Sequence, residues 1–241
     1  MLIHGNYYSK VLDRYKSYTA VFPRVFLQVK KVIVLLNGKG SDETSWAANT
    51  PLEEYADHYQ VAFFCPAGEN SYYTNHADGE NYADAFGDEF IQTMRQLYAI
   101  PTTQADTEIV GFSMGGYGAM LLGLRFAKHY SRIGAFSPAF VFYKKSRNTA
   151  FYRRSFSNGD YGSENDVVFW YQRAFDLGQD IAPIDFACGK DDPLFEQTQI
   201  VMQKVQAIDP NAKVTMLAQD GYHDFTLWRA ALDHYLEHGK Y

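Results

Sequence analysis

The sequence predicts a doubly wound α/β architecture with a mostly parallel sheet. Three observations carry this. From residue 31 onward, short apolar β-branched runs alternate with longer stretches of helical periodicity. Several of those runs are continuously apolar, as strands covered on both faces require. The 241 residues contain no internal repeat and no low-complexity linker, and that length suits one large domain spanning residues 1–241.

Residues 6–29 read as extended. Tyr18, Ala20 and Phe22 stand before Pro23, and Val25, Leu27 and Val29 alternate after Arg24, so an antiparallel hairpin is expected at the N-terminus. Lys31-Val32-Ile33-Val34-Leu35-Leu36 is the first buried strand, and it ends in Asn37-Gly38-Lys39-Gly40-Ser41-Asp42. A helix is expected from Pro51, with Thr50 as N-cap and Glu53 and Glu54 near its positive end. Val61-Ala62-Phe63-Phe64-Cys65 is a second buried strand, stopped by Pro66. Tyr82, Phe86, Phe90, Met94 and Leu97 recur at helical spacing and predict an amphipathic helix over 81–98. Glu108-Ile109-Val110 leads into Gly111-Phe112-Ser113-Met114-Gly115, and a helix continues through Ala119, Met120, Leu122 and Phe126.

Ile133-Gly134-Ala135-Phe136-Ser137 is the next strand. Residues 139–180 then break the rhythm. They are rich in aromatics, carry Lys144, Lys145, Arg147, Arg153 and Arg154, and sit where a small insertion could cover a site or pack as a surface excursion. Residues 183–189 form a strand that delivers Lys190-Asp191-Asp192-Pro193, and a helix follows over about 194–207. Residues 212–217 form the last strand. It leads to Gln219-Asp220-Gly221-Tyr222-His223-Asp224 and a final helix through Phe225, Leu227, Trp228, Leu232 and Leu236.

Composition excludes several classes. A net charge of −6 argues against nucleic acid as a partner and against a polybasic membrane anchor. No apolar run approaches the roughly 20 residues of a membrane span. The opening Met1-Leu2-Ile3-His4-Gly5-Asn6 lacks the basic and apolar regions of a secretory signal. Cys65 and Cys188 are the only cysteines, and two buried thiols in a reducing, cytoplasmic setting is the simpler expectation.

Chemistry concentrates in four loops at the carboxyl ends of predicted strands, where sites of such sheets gather. Gly111-x-Ser113-x-Gly115 between strand and helix is a tight elbow. Its glycines remove clashing side chains and hold the hydroxyl up as a candidate nucleophile. A serine needs a base. Of seven histidines, only His223 follows a late strand in the chain order nucleophile, acid, base. His58, His129, His234 and His238 fall on helix surfaces or ends, and the segment around His76 matches no standard metal-ligand spacing. The acid that would orient His223 is Asp191 or Asp192, and spacing alone does not choose between them. Backbone donors for an oxyanion are expected from Met114, at a helix N-terminus, and from the Gly38-Lys39-Gly40 loop. The spacing of a phosphate-binding loop is absent there.

Gly111-Phe112-Ser113-Met114-Gly115-Gly116-Tyr117-Gly118-Ala119 resembles the elbow of esterase D-like α/β-hydrolases, most closely the bacterial tributyrin and acetyl esterases. Tyr7-Tyr8-Ser9-Lys10-Val11-Leu12, Leu35-Leu36-Asn37-Gly38 with Ser45-Trp46, and Tyr72-Tyr73-Thr74 are similar to that group. So are Cys188-Gly189-Lys190-Asp191-Asp192-Pro193-Leu194-Phe195-Glu196 and Gly221-Tyr222-His223-Asp224 with Trp228. The likeness spans nearly the whole chain except 139–180. It implies the α/β-hydrolase fold, Asp192 as the acid and Lys39 as the second oxyanion donor. It implies a serine carboxylesterase acting on short acyl esters, acetylated or feruloylated carbohydrates among them, with no metal, no cofactor and often an oligomer. Acyl transfer to an alcohol or sugar, and non-catalytic binding on the same scaffold, are the alternatives. One departure stands out: the group usually has His-Gly where this chain has Asn37-Gly38.

Overall fold

Eight strands form one sheet: β1 (Leu2–Ser9), β2 (Arg14–Val21), β3 (Lys31–Leu36), β4 (Val61–Pro66), β5 (Thr107–Phe112), β6 (Ile133–Phe136), β7 (Ile184–Gly189) and β8 (Val214–Gln219). The structure is a computed structural model that describes residues 1–26, 29–100, 103–141 and 149–239. Strand order is β1-β2-β4-β3-β5-β6-β7-β8. The β1–β2 and β2–β4 pairs are antiparallel, and every pair from β4 to β8 is parallel.

The hairpin exists but sits earlier than the sequence suggested. Its strands turn at residues 10–13, where Asp13 takes φ 50° and the Ser9 hydroxyl accepts the Leu12 N–H at 3.1 Å. Pro23 does not turn a hairpin; it lies just beyond β2, where a residue without an N–H can no longer extend the ladder. Val25 is an exposed bend residue rather than a strand position, and Leu27 lies outside the described residues.

The helices are α1 (Ser45–Asn49), α2 (Leu52–Tyr59), α3 (Tyr82–Asp84), α4 (Phe90–Tyr98), α5 (Met114–Arg125), α6 (Ala150–Ser155), α7 (Val167–Asp176), α8 (Phe195–Ile208) and α9 (Phe225–Glu237). A π-helical turn over Ala85–Glu89 joins α3 to α4, so the amphipathic stretch expected at 81–98 is one rod with a bulge. Thr50 does not cap α2. It ends α1, where its hydroxyl donates to the Trp46 carbonyl at 2.6 Å, and Pro51 takes the capping place before α2.

Alternation along the strands divides the core in two. Val32, Val34 and Leu36 face one layer with Phe86, Phe90, Met94, Tyr117 and Val201. Ile33 and Leu35 face the other with Trp46, Leu52, Phe63, Leu227, Trp228 and Leu232. Each fully buried side chain of this size contributes about 1.5–3 kcal/mol, which is why a strand apolar at every position is stable only between two helical layers. Within 139–180, α7 buries Val167 and Tyr171, and the Tyr117 hydroxyl on α5 donates to the Asn165 carbonyl at 2.6 Å. Its described part around Asn165 and α7 is therefore packed onto the elbow helix. Arg153 and Arg154 are exposed, and Lys144, Lys145 and Arg147 lie outside the described residues.

Candidate active site

The elbow begins with two close approaches. A Cβ on Gly111 would strike the backbone of Gly115, and one on Gly115 would lie 2.7 Å from the Asn37 carbonyl oxygen and closer still to that of Leu36. Only glycine lets α5 start directly above β3 and β5. Ser113 is held at φ 56° and ψ −118°, a conformation non-glycine residues rarely adopt. Three backbone hydrogen bonds keep it there: its N–H donates to Phe136, and its carbonyl accepts from Tyr117 and Ala139, at 2.9, 3.1 and 2.9 Å.

His223 stands in the loop between β8 and α9. Asp224 after it caps α9, accepting the N–H groups of Thr226 at 2.9 Å and Leu227 at 3.2 Å. Asp192 stands in the loop after β7. The two loops meet where the Asp191 N–H donates to the Gly221 carbonyl at 3.2 Å, an approach that a side chain on Gly189 would block. The result is a hydrogen-bonded row. His223 Nε2 lies 2.9 Å from Ser113 Oγ, and His223 Nδ1 lies 2.8 Å from Asp192 Oδ2.

The two neighbouring aspartates part company here. Asp192 is 4% exposed and reaches His223, whereas Asp191 faces solvent. Burial alone would raise the Asp192 carboxyl. Hydrogen bonds from His223, the Ser137 hydroxyl and the Leu194 N–H outweigh it and hold the group below the usual carboxylate range. Ser137 also accepts the Trp228 indole N–H at 3.1 Å, and that indole stands edge-on to His223 with ring centres 5.0 Å apart. Ser137 as a partner of the acid was not foreseen from sequence; it sits one residue past β6 and has no motif around it. The adjacent Cys188 thiol is pushed up to about 12 by burial and the Asp192 charge, which leaves it inert.

Gly38 lies against the elbow. A Cβ there would sit 2.5 Å from the Phe112 ring and 3.3 Å from Ser113 Cβ. Neither the Met114 nor the Lys39 N–H donates to an acceptor among the described residues. The Lys39 ammonium lies 4.0 Å above the Phe151 ring of α6, so the 139–180 segment reaches this edge of the site.

The remaining histidines stand apart. His129, expected on a solvated helix end, is instead buried against Asp88 at 2.5 Å, because the π-helical turn over Ala85–Glu89 packs beside the end of α5 and encloses it. His58, His234 and His238 are exposed, and buried His76 bonds the Ser71 carbonyl at 3.0 Å. No group of three His, Cys, Asp or Glu among the described residues is placed to hold a metal ion.

Comparison with known proteins identifies the family. A family model described as putative esterase matches residues 23–237. The acetyl esterase of Caldicellulosiruptor saccharolyticus is 29% identical over 248 residues, covering 92% of each chain. Among solved structures, the fluorophosphonate-binding serine hydrolase FphF of Staphylococcus aureus superposes with a TM-score of 0.89 at 24% identity, covering 98% of this chain and 97% of that one. The S-formylglutathione hydrolase FrmB of the same organism superposes with a TM-score of 0.86 at 24% identity and the same coverage. The chain belongs to the putative esterase family and is a carboxylic ester hydrolase with the α/β-hydrolase fold.

Proposed function

We propose that the protein hydrolyses short-chain acyl esters, of acetyl or butyryl type, through an acyl-enzyme on Ser113. The observation that carries this is the hydrogen-bonded row from Ser113 through His223 to buried Asp192. His223 Nε2 takes the hydroxyl proton as Ser113 Oγ attacks the ester carbonyl. Asp192 keeps the other ring proton on Nδ1 and stabilises the imidazolium. The Met114 and Lys39 N–H groups receive the oxyanion, each worth on the order of 10²–10³ in rate. Collapse returns the proton from His223 to the departing alkoxide, the alcohol leaves, and Ser113 stays acylated. Water then repeats the sequence with His223 as base, releasing the acid and restoring the hydroxyl.

The acetyl esterase relative supports a short acyl group, and a ferulic acid esterase of 23% identity and TM-score 0.82 shares the fold. Buried, unpaired Cys65 and Cys188 suit the cytoplasmic setting expected from the sequence. Among the described residues no helix is long and apolar enough to cross a membrane. The test is turnover of p-nitrophenyl acetate and butyrate by the parent and by Ser113→Ala. Loss of turnover with an unchanged unfolding midpoint is expected, and retained turnover would sink the assignment. Product analysis with added alcohols reads whether water or an alcohol is the acceptor.

A further inference from the structure

We infer that Asn37 is a positioning residue that aims the Lys39 N–H by anchoring the Gly38 carbonyl on the opposite side of the same peptide plane. The inference rests on the reading of Lys39 as an oxyanion donor. The Gly38–Lys39 peptide is planar and trans, so the Gly38 oxygen and the Lys39 N–H point in opposite directions, and whatever holds one aims the other. The Gly38 oxygen is held three times: by Asn37 Nδ2 at 2.9 Å, by the Ser41 hydroxyl at 2.9 Å and by the Ser41 N–H at 3.3 Å. The Lys39 N–H on the far side has no acceptor among the described residues, and Gly38 packs against Ser113.

Asn37 is itself fixed. Its second amide hydrogen goes to the Ser41 carbonyl at 2.8 Å, and its Oδ1 accepts the Gly68 N–H at 2.9 Å and the Tyr73 hydroxyl at 3.0 Å. The carboxamide is 1% exposed, and all four of its contacts are polar. A flipped amide would set NH₂ against the Gly68 N–H and oxygen against two carbonyls, so only one orientation fits. Tyr73 is wholly buried at φ 57°, and its one hydroxyl hydrogen is shared between Asn37 Oδ1 and the Asn37 carbonyl, each at 3.0 Å. The oxyanion loop thus hangs from one side chain that both donates and accepts.

A carboxylate of the same shape keeps the accepted bonds and loses the donated ones. Asn37→Asp sets an oxygen against the Gly38 and Ser41 carbonyls and frees the peptide plane to turn. In the folded variant kcat for p-nitrophenyl acetate should fall about 10²–10³-fold, the loss of one oxyanion donor, with KM changed less than threefold. Affinity for a trifluoromethyl ketone, which binds as a tetrahedral oxyanion, should fall by the same factor; a merely structural defect would not single out this ligand. A folded Asn37→Asp variant with kcat within threefold of the parent, or with unchanged ketone affinity, overturns the inference. Should Asn37→Asp not fold, Asn37→Ser decides, because it deletes the Nδ2 bonds to the Gly38 and Ser41 carbonyls: a joint fall of about tenfold or more in kcat and ketone affinity supports the anchor, and no change in either overturns it. Lys39→Pro, which deletes the N–H itself, separates the two readings. An impaired Lys39→Pro beside a fully active Asn37→Asp refutes the anchor alone, whereas full activity in both refutes Lys39 as a donor.

Discussion

Replacing Asp192 with Asn should reverse the tautomer of His223. The Leu194 N–H donates to Asp192 Oδ1 at 2.8 Å, so the oxygen of an Asn side chain must stay at that position. Its NH₂ then falls where Oδ2 was, 2.8 Å from His223 Nδ1. An NH₂ donates, so Nδ1 must accept, and the ring proton moves to Nε2. That nitrogen faces Ser113 Oγ at 2.9 Å and can no longer take its proton. The same change in the Ser-His-Asp template lowers kcat about 10⁴-fold, equivalent to about 5 kcal/mol at 1.36 kcal/mol per decade. The assay is kcat for p-nitrophenyl acetate in parent, Asp192→Asn and Asp191→Asn, with thermal midpoints as a check on folding. Asp191 is exposed and does not reach the histidine, so its variant should stay within about twofold of the parent. An Asp192→Asn enzyme keeping a tenth of its activity, or an Asp191→Asn enzyme losing most of it, would refute the assignment of the acid.

Gly115→Ala should destabilise by about 3 kcal/mol or more, the upper range for overpacking, because the new methyl meets two backbone carbonyls that cannot rotate away. At about 2–4 °C per kcal/mol for a chain of this size, a calorimetric midpoint within 2 °C of the parent would contradict the close approach of α5 to β3. Glu80 is held below its usual range chiefly by its hydrogen bond from Arg14. A depressed carboxyl stabilises above its unfolded pKa and loses that contribution as pH falls through the folded value. Glu80→Gln should therefore be less stable than the parent at pH 7, by no more than about 1 kcal/mol for a partly exposed pair, with the gap closing as pH falls through the lowered folded value. Urea midpoints at pH 7 and pH 3 check it, and a gap that widens in acid would reverse the argument.

Much of the architecture was written in periodicity. A run such as Val32-Ile33-Val34-Leu35-Leu36 can be stable only between two layers, and the order Ser113, Asp192, His223 limits which loops can meet. What could not be read was set by tertiary context. Asp191 and Asp192 are identical in type and adjacent in a turn; resemblance points to Asp192, but the physical difference between them, burial, is not in the spacing. Pro23 and Thr50 carry local signals that suit a turn and a helix cap, but the chain uses them to end a strand and to close α1. His129 is read as solvated because the packing of the Ala85–Glu89 turn beside α5 is invisible from either segment alone. The helices within 139–180 were hidden by an aromatic density that blurs any period. Asn37 read as a departure from a family pattern, and the bonds that give it meaning come from Gly68 and Tyr73, some thirty residues on.

The backbone of Ser113 has a consequence beyond its aim. A residue forced to φ 56° and ψ −118° costs the fold on the order of 1–3 kcal/mol. That penalty is incurred once, when β6 and α5 close around the elbow and fix it with a hydrogen bond to the Phe136 carbonyl and hydrogen bonds from the Tyr117 and Ala139 N–H groups. With Ser113 as the proposed nucleophile, each later encounter with an ester then starts from a hydroxyl already in its reactive pose, with no reorganisation left for the binding step to drive. On that proposal the protein has moved part of the activation barrier out of the reaction and into its own folding free energy.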